Sequence, residues 1–150
     1  MTYTGYSAYN QIATVIDSKE VILIKLLDGT IRFVQAAQTG IKSGNPKLKG
    51  ENISKAIAII SELDGALDRE IGADLVENLS ILYQYILGRL TRANLKNDSQ
   101  MLIEVENLLI PIKEGFAEAL KQISSEAPTD NTQQQVQHSS AAQKGLSIAA

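Results

Sequence analysis

The only histidine in the chain, His138, stands in a Gln- and Ser-rich stretch near the C-terminus, and there is no cysteine. Those two facts remove most of the chemistry that a helical protein can perform. A phosphotransfer bundle needs a His on a helix face, and a di-iron bundle needs Glu-x-x-His pairs. Ser–His and Cys–His nucleophiles need a His in the folded part. Disulfides and thiolate metal sites need Cys. No Gly-rich phosphate loop or Walker pattern occurs. Carboxylate pairs remain, Glu104 with Glu106 and Asp68 with Glu70. Residues two apart on a helix diverge, so these pairs read as solvated charge. The expectation is a protein that is not an enzyme, with no cofactor and no metal.

Composition narrows the class further. The chain has 150 residues, 44% hydrophobic and 21% charged, with a formal net charge of −3. That suits one soluble domain large enough to bury a core. Acidic and basic residues are interspersed, so no basic stripe is available to neutralise phosphates, and nucleic acid is not expected as a partner. The start, MTYTGYSAYNQ, lacks a basic region followed by an apolar run, so no signal peptide is expected. Apolar runs such as VILI are too short to span a bilayer, and no membrane insertion is expected.

Apolar residues recur at spacings of three and four, which predicts an all-α protein. The first long helix is SKEVILIKLLDGTIRFVQAAQTGIKS, with Asp17 as cap, Glu20 three residues on, and a stop at Gly44-Asn45-Pro46. The second, NISKAIAIISELDGALDREI, follows KLKG and ends near Gly72. The third starts at Asp74 as cap and runs to about Lys96. Asn97 to Ser99 breaks the chain and caps a fourth helix that continues to about Ser125. On this last helix Leu102, Val105, Leu109, Ile112, Phe116, Ala119 and Ile123 form a bundle seam, with a bend but no stop at Pro111. Short connections make neighbours antiparallel, giving an up-down four-helix bundle over residues 17–125. Tyr9, Ile12 and Ile16 mark a short amphipathic helix in residues 1–16 that lies on the bundle. Residues 126–150 read as a disordered polar tail. Asp64 and Asn94 fall on core-facing arcs and are expected to be paired or near a bundle end.

The bundle leaves too much apolar surface. On the first long helix Leu23, Leu27, Ile31, Val34 and Ile41 form one stripe. Ile22, Leu26, Phe33 and Ala37 form a second, with Gly29 and Gly40 beside it. The apolar arc covers roughly 240°, where an outer bundle helix needs something above 100°. Ile59 and Ala66 on the second helix, and Ile81 and Tyr85 on the third, also lie off the main seam. Surface of this kind predicts a groove for a partner helix, and the glycines admit a close backbone. A self-associating structural bundle using the same groove is the competing reading.

SAYNQI, LLDGTIRF, KGENISKAIAII, LYQYILGRLTRANLKND and EVENLL occur in this order between about Ala8 and Gln122. In these segments the chain resembles the flagellar secretion chaperones of the FliS type. Leu27 stands where that family often has an aromatic residue, and Phe116 where it often has Trp. The resemblance implies a cytoplasmic all-α bundle that binds the disordered C-terminal region of flagellin, in a 1:1 complex. It implies that this prevents premature polymerisation and precedes delivery to the flagellar export gate. It also implies that the N-terminal segment covers part of the groove when flagellin is absent, which carries over to Tyr9. The binding residues expected from periodicity and resemblance together are Tyr9, Ile12, Ile22, Leu26, Gly29, Phe33, Ile59, Ala66, Ile81 and Tyr85.

Overall fold

The computed structural model describes residues 19–68 and 74–149, with side chains described as far as 125. It contains four helices: α1 Lys19–Lys42, α2 Pro46–Gly65, α3 Asp74–Lys96 and α4 Ser99–Ala149. No strand occurs among the described residues. Tyr9, Ile12, Ile16 and Asp17 lie outside them, as does the proposed N-terminal helix.

Two turns at one end of the bundle share a mechanism. Gly44 has φ 65°, the left-handed conformation that closes a helix, and the Asn45 N–H donates to the Gly40 carbonyl at 2.8 Å. Asn97 has φ 51°, and the Asp98 N–H donates to the Ala93 carbonyl at 3.2 Å. Both are Schellman-type closures, which satisfy the last carbonyls of the helix they end. Each turn also starts the next helix. The Asn45 side chain accepts the Leu48 N–H at 3.0 Å with Pro46 in the first helical turn. The Asp98 side chain accepts the Gln100 N–H at 2.9 Å. Gly44-Asn45-Pro46 is therefore a start as well as a stop, and the KLKG expected to precede α2 is its first turn. At its other end α2 stops at Gly65, short of the expected Gly72, with Ala66 as C-cap.

Helix α1 packs on α2 and α4, and α3 packs on the same two, so α1 and α3 stand on one diagonal. The core takes Leu27, Ile31 and Val34 from α1, Ile53, Ala56 and Ile60 from α2, Tyr83, Ile86 and Leu90 from α3, and Leu102, Val105 and Leu109 from α4. Burial of this apolar surface is what holds the short-looped bundle together. Helix α4 runs through Pro111 without a stop. Its expected seam is core only as far as Leu109. Ile112 and Phe116 are partly buried, Ala119 is exposed, and Ile123 is 58% exposed. The helical backbone continues to Ala149, beyond the Ser125 boundary expected from composition. Between Pro128 and Gly145 that stretch holds five Gln and no Gly or Pro, so no strong helix breaker interrupts it.

The buried polar residues do structural work. The Asp64 carboxylate accepts Ser80 Oγ at 2.8 Å and Gln84 Nε2 at 2.7 Å, tying the end of α2 to α3. Thr30 Oγ1 donates to the Leu26 carbonyl at 2.8 Å. At the turn end, buried Lys49 donates to the Asn94 carbonyl at 3.0 Å and to Asn97 Oδ1. This ammonium joins the α1–α2 turn to the α3–α4 turn. Asn94 itself is half-buried at that end.

Candidate partner-binding site

The opposite end of the bundle is lined largely by apolar side chains. A cavity of about 300 Å³ opens there. Helix α1 lines it with Lys19, Ile22, Leu23 and Leu26, and α2 with Leu63, Ala66 and Leu67. Leu79 and Tyr83 of α3 and Phe116 of α4 complete the wall. Residues expected to be core, Leu23 and Phe116 among them, are a lining here instead. Tyr83 is 1% exposed. Burial, and secondarily the negative charge of Asp64, pushes its phenol above the usual range, so it is neutral here.

From the cavity a strip of apolar surface follows α1 and α2. Ile22 is 51% exposed, while Leu26, Phe33 and Ile59 are partly buried against the core. Ala66 is exposed. A Cβ on Gly29 would meet nothing within 4 Å, so the backbone is bare on that side. The Lys55 ammonium sits 5.4 Å from the centre of the Phe33 ring and marks the polar edge of the strip. Two expected members do not belong to it. Ala37 is wholly buried, and Gly40 is covered by the chain itself. A Cβ on Gly40 would lie 2.6 Å from the Lys49 nitrogen, so the backbone that this glycine admits is the first turn of α2.

Ile81 and Tyr85 are exposed as expected, but on another face. Tyr85 reaches toward α4, with its hydroxyl bonded to Glu104 and accepting Arg89 Nε at 2.9 Å. Arg89 also pairs with Glu104 at 3.1 Å. Because α1 and α3 stand on a diagonal, the α3 residues are set apart from the α1–α2 strip. The expected binding residues therefore divide into two surfaces. The cavity residues Leu63, Leu67, Leu79 and Phe116 went unrecognised as lining, since periodicity marks them as seam and carries no sign of where the bundle opens.

Among the described residues no three His, Cys, Asp or Glu side chains gather at metal-binding spacing, and no helix is long and apolar enough to cross a membrane. The architecture of a small bundle with an open apolar end agrees with a family match: the model of the flagellar protein FliS covers residues 2–123. The chain belongs to the FliS family. It is 41% identical over 131 residues to the flagellar secretion chaperone FliS of Salmonella typhimurium, covering 84% of this chain and 94% of that protein. To the flagellar secretion chaperone FliSB of Pseudomonas aeruginosa it is 42% identical over 113 residues, 72% of this chain and 89% of the relative. To FliS of Bacillus subtilis it is 32% identical over 116 residues, 77% and 86% of the two chains. The match to FliS ends before the Gln- and Ser-rich segment, which this FliS-family chain carries beyond residue 123.

Proposed function

We propose that this protein is a cytoplasmic chaperone for flagellin export. It takes up the disordered C-terminal region of flagellin as helices on the α1–α2 surface, prevents premature polymerisation, and passes the cargo to the export gate. The observation that carries this reading is the open, largely apolar cavity at the end away from Lys49, continuous with Ile22, Leu26, Gly29, Phe33, Ile59 and Ala66. An amphipathic helix laid in such a groove exchanges two water-exposed apolar faces for one buried contact. Tyr9 and Ile12 belong to the segment proposed to cover the groove when it is empty.

Calorimetric titration with a flagellin C-terminal peptide tests the proposal. One peptide per chain is expected. Ile22→Asp is the cleanest probe, because Ile22 is half exposed and its loss spares the core. Leu26→Asp is a poorer one, since Leu26 is partly buried. A charge desolvated in the groove should weaken binding at least tenfold, about 1.4 kcal/mol. Unaltered affinity in a folded Ile22→Asp protein overturns the placement. Tyr9→Ala should hold or tighten binding, because a self-covered site lowers apparent affinity by the uncovered fraction.

A further inference from the structure

Tyr83 lines the cavity and is almost wholly buried, yet among the described residues its hydroxyl has no hydrogen-bond partner. The Asp64 carboxylate accepts Ser80 Oγ and Gln84 Nε2 but no hydrogen bond from Tyr83. Buried tyrosine hydroxyls normally find a partner, and one without a partner is a standing cost to the fold. That cost is relieved when whatever enters the cavity carries the missing partner.

The surroundings narrow what that partner is. Burial, and secondarily the charge of Asp64, keep the phenol protonated, so it is available as a donor. Lys19, exposed on the rim, is the other polar side chain among the described lining residues, and the remaining walls are hydrocarbon. A cation entering the cavity is repelled by Lys19 and finds no acidic side chain in the wall. An anion gains Lys19 only at the rim; beside Tyr83 it loses its water and meets the charge of Asp64. An amide brings two N–H donors and a carbonyl, more than one phenol satisfies. A hydroxyl on a helix fits. It donates to the carbonyl four residues back in its own helix, and its oxygen still accepts from Tyr83. Thr30 shows the first half of that arrangement within α1: it is wholly buried, and Oγ1 donates to the Leu26 carbonyl at 2.8 Å.

We infer that Tyr83 is a specificity determinant of the cavity, donating a hydrogen bond to a serine or threonine hydroxyl on the helix that the cavity receives. Threonine suits the site better, because its methyl group meets the hydrocarbon walls. The inference rests on the flagellin reading above and adds to it a polar contact inside an apolar groove. Apolar burial sets how tightly a helix is held, and the phenol sets which helix, and in which register.

Tyr83→Phe removes the hydroxyl and keeps the ring. Without peptide its melting temperature should hold or rise, since a polar group lacking a partner leaves the interior. In calorimetric titration its affinity for the flagellin C-terminal peptide should fall about tenfold. A tyrosine with a merely structural role would not separate these two readouts. A peptide series with one Ser→Ala or Thr→Val replacement each should then contain one member that binds wild type about tenfold more weakly, yet binds Tyr83→Phe as well as the parent peptide does. A fall of several degrees in the melting temperature of Tyr83→Phe shows a partner within the chain and overturns the inference. Unchanged or tighter binding by folded Tyr83→Phe also overturns it, with the flagellin reading left standing: the cavity then takes an apolar side chain, or water serves the phenol. A series in which Tyr83→Phe silences no replacement overturns it as well. A wild-type chain that does not bind the peptide overturns both the inference and the reading beneath it.

Discussion

Replacing Gly40 and Gly29 by alanine, each alone, should move stability in opposite directions. Both glycines lie within α1, so both substitutions gain helix propensity, about 1 kcal/mol in mid-helix and less near the end where Gly40 sits. The surroundings decide the rest. At Gly29 the added methyl meets open space. At Gly40 it would lie 2.6 Å from the Lys49 nitrogen, 3.0 Å from Lys49 Cα and 3.1 Å from the Asn45 carbonyl oxygen. Ordinary contact begins near 3.4 Å, so the start of α2 must retreat by about 0.8 Å. These neighbours are backbone atoms, and the Lys49 side chain is tied to the far turn, so no rotamer change relieves the clash. Overpacking of this kind costs about 1–3 kcal/mol. Gly29→Ala should therefore stabilise by up to about 1 kcal/mol and Gly40→Ala destabilise by about 1–2 kcal/mol. Urea denaturation followed by circular dichroism, with unchanged m-values, measures both. Equal shifts of the same sign would refute the claim that Gly40 serves the approach of α2.

Leu109→Ala should cost about 2–5 kcal/mol in the same assay, because Leu109 is wholly buried on α4, and a loss under about 0.5 kcal/mol would place it at the surface. Truncation after Ser125 should leave the melting temperature and flagellin-peptide affinity nearly unchanged, since the polar segment beyond it has little apolar surface to contribute; a large fall in either would show that it docks. Asp28 is held below the usual carboxylate range by its hydrogen bond from Lys113 at 2.8 Å, against a smaller opposing effect of burial. A carboxylate depressed in the folded state stabilises it above the unfolded value, near 4, and this is lost as pH falls through the lower folded value. The stability difference between wild type and Asp28→Asn should thus be small but present at neutral pH and vanish in acid; a difference that grows in acid contradicts the pairing.

Period alone was enough to separate the faces of α3. In LYQYILGRLTRANLKND it distinguishes buried Tyr83, Ile86, Leu90 and Ala93 from exposed Tyr85, as the structure has them. It puts Asp64 on a core-facing arc, expected to be paired or near a bundle end, and the structure pairs it with Ser80 and Gln84. What period lacks is adjacency. Nothing in the spacing of Ile81 tells that α3 is diagonal to α1, so its place relative to the α1–α2 strip is not legible in the sequence. Short polar turns are similarly ambiguous: Asn45 is both the residue that follows a left-handed glycine and the cap of the next helix, and only the backbone reveals the second role. The extent of a seam is the third hidden quantity. Ile123 keeps the phase of Leu109 but lies where its neighbours no longer enclose it.

The Lys49 tie makes the bundle a lever. Helix α1 has 24 residues and is therefore about 36 Å long. A tilt of about 5° about its Gly44 turn would carry the Lys19 end through about 3 Å, while the tied end would scarcely move. Small angular adjustments of this kind would be amplified where Ile22 and Leu26 line the cavity. Amide hydrogen exchange should reveal the fulcrum as a gradient, fastest near Leu23 and slowest near Ala37, with cargo slowing the fast end alone.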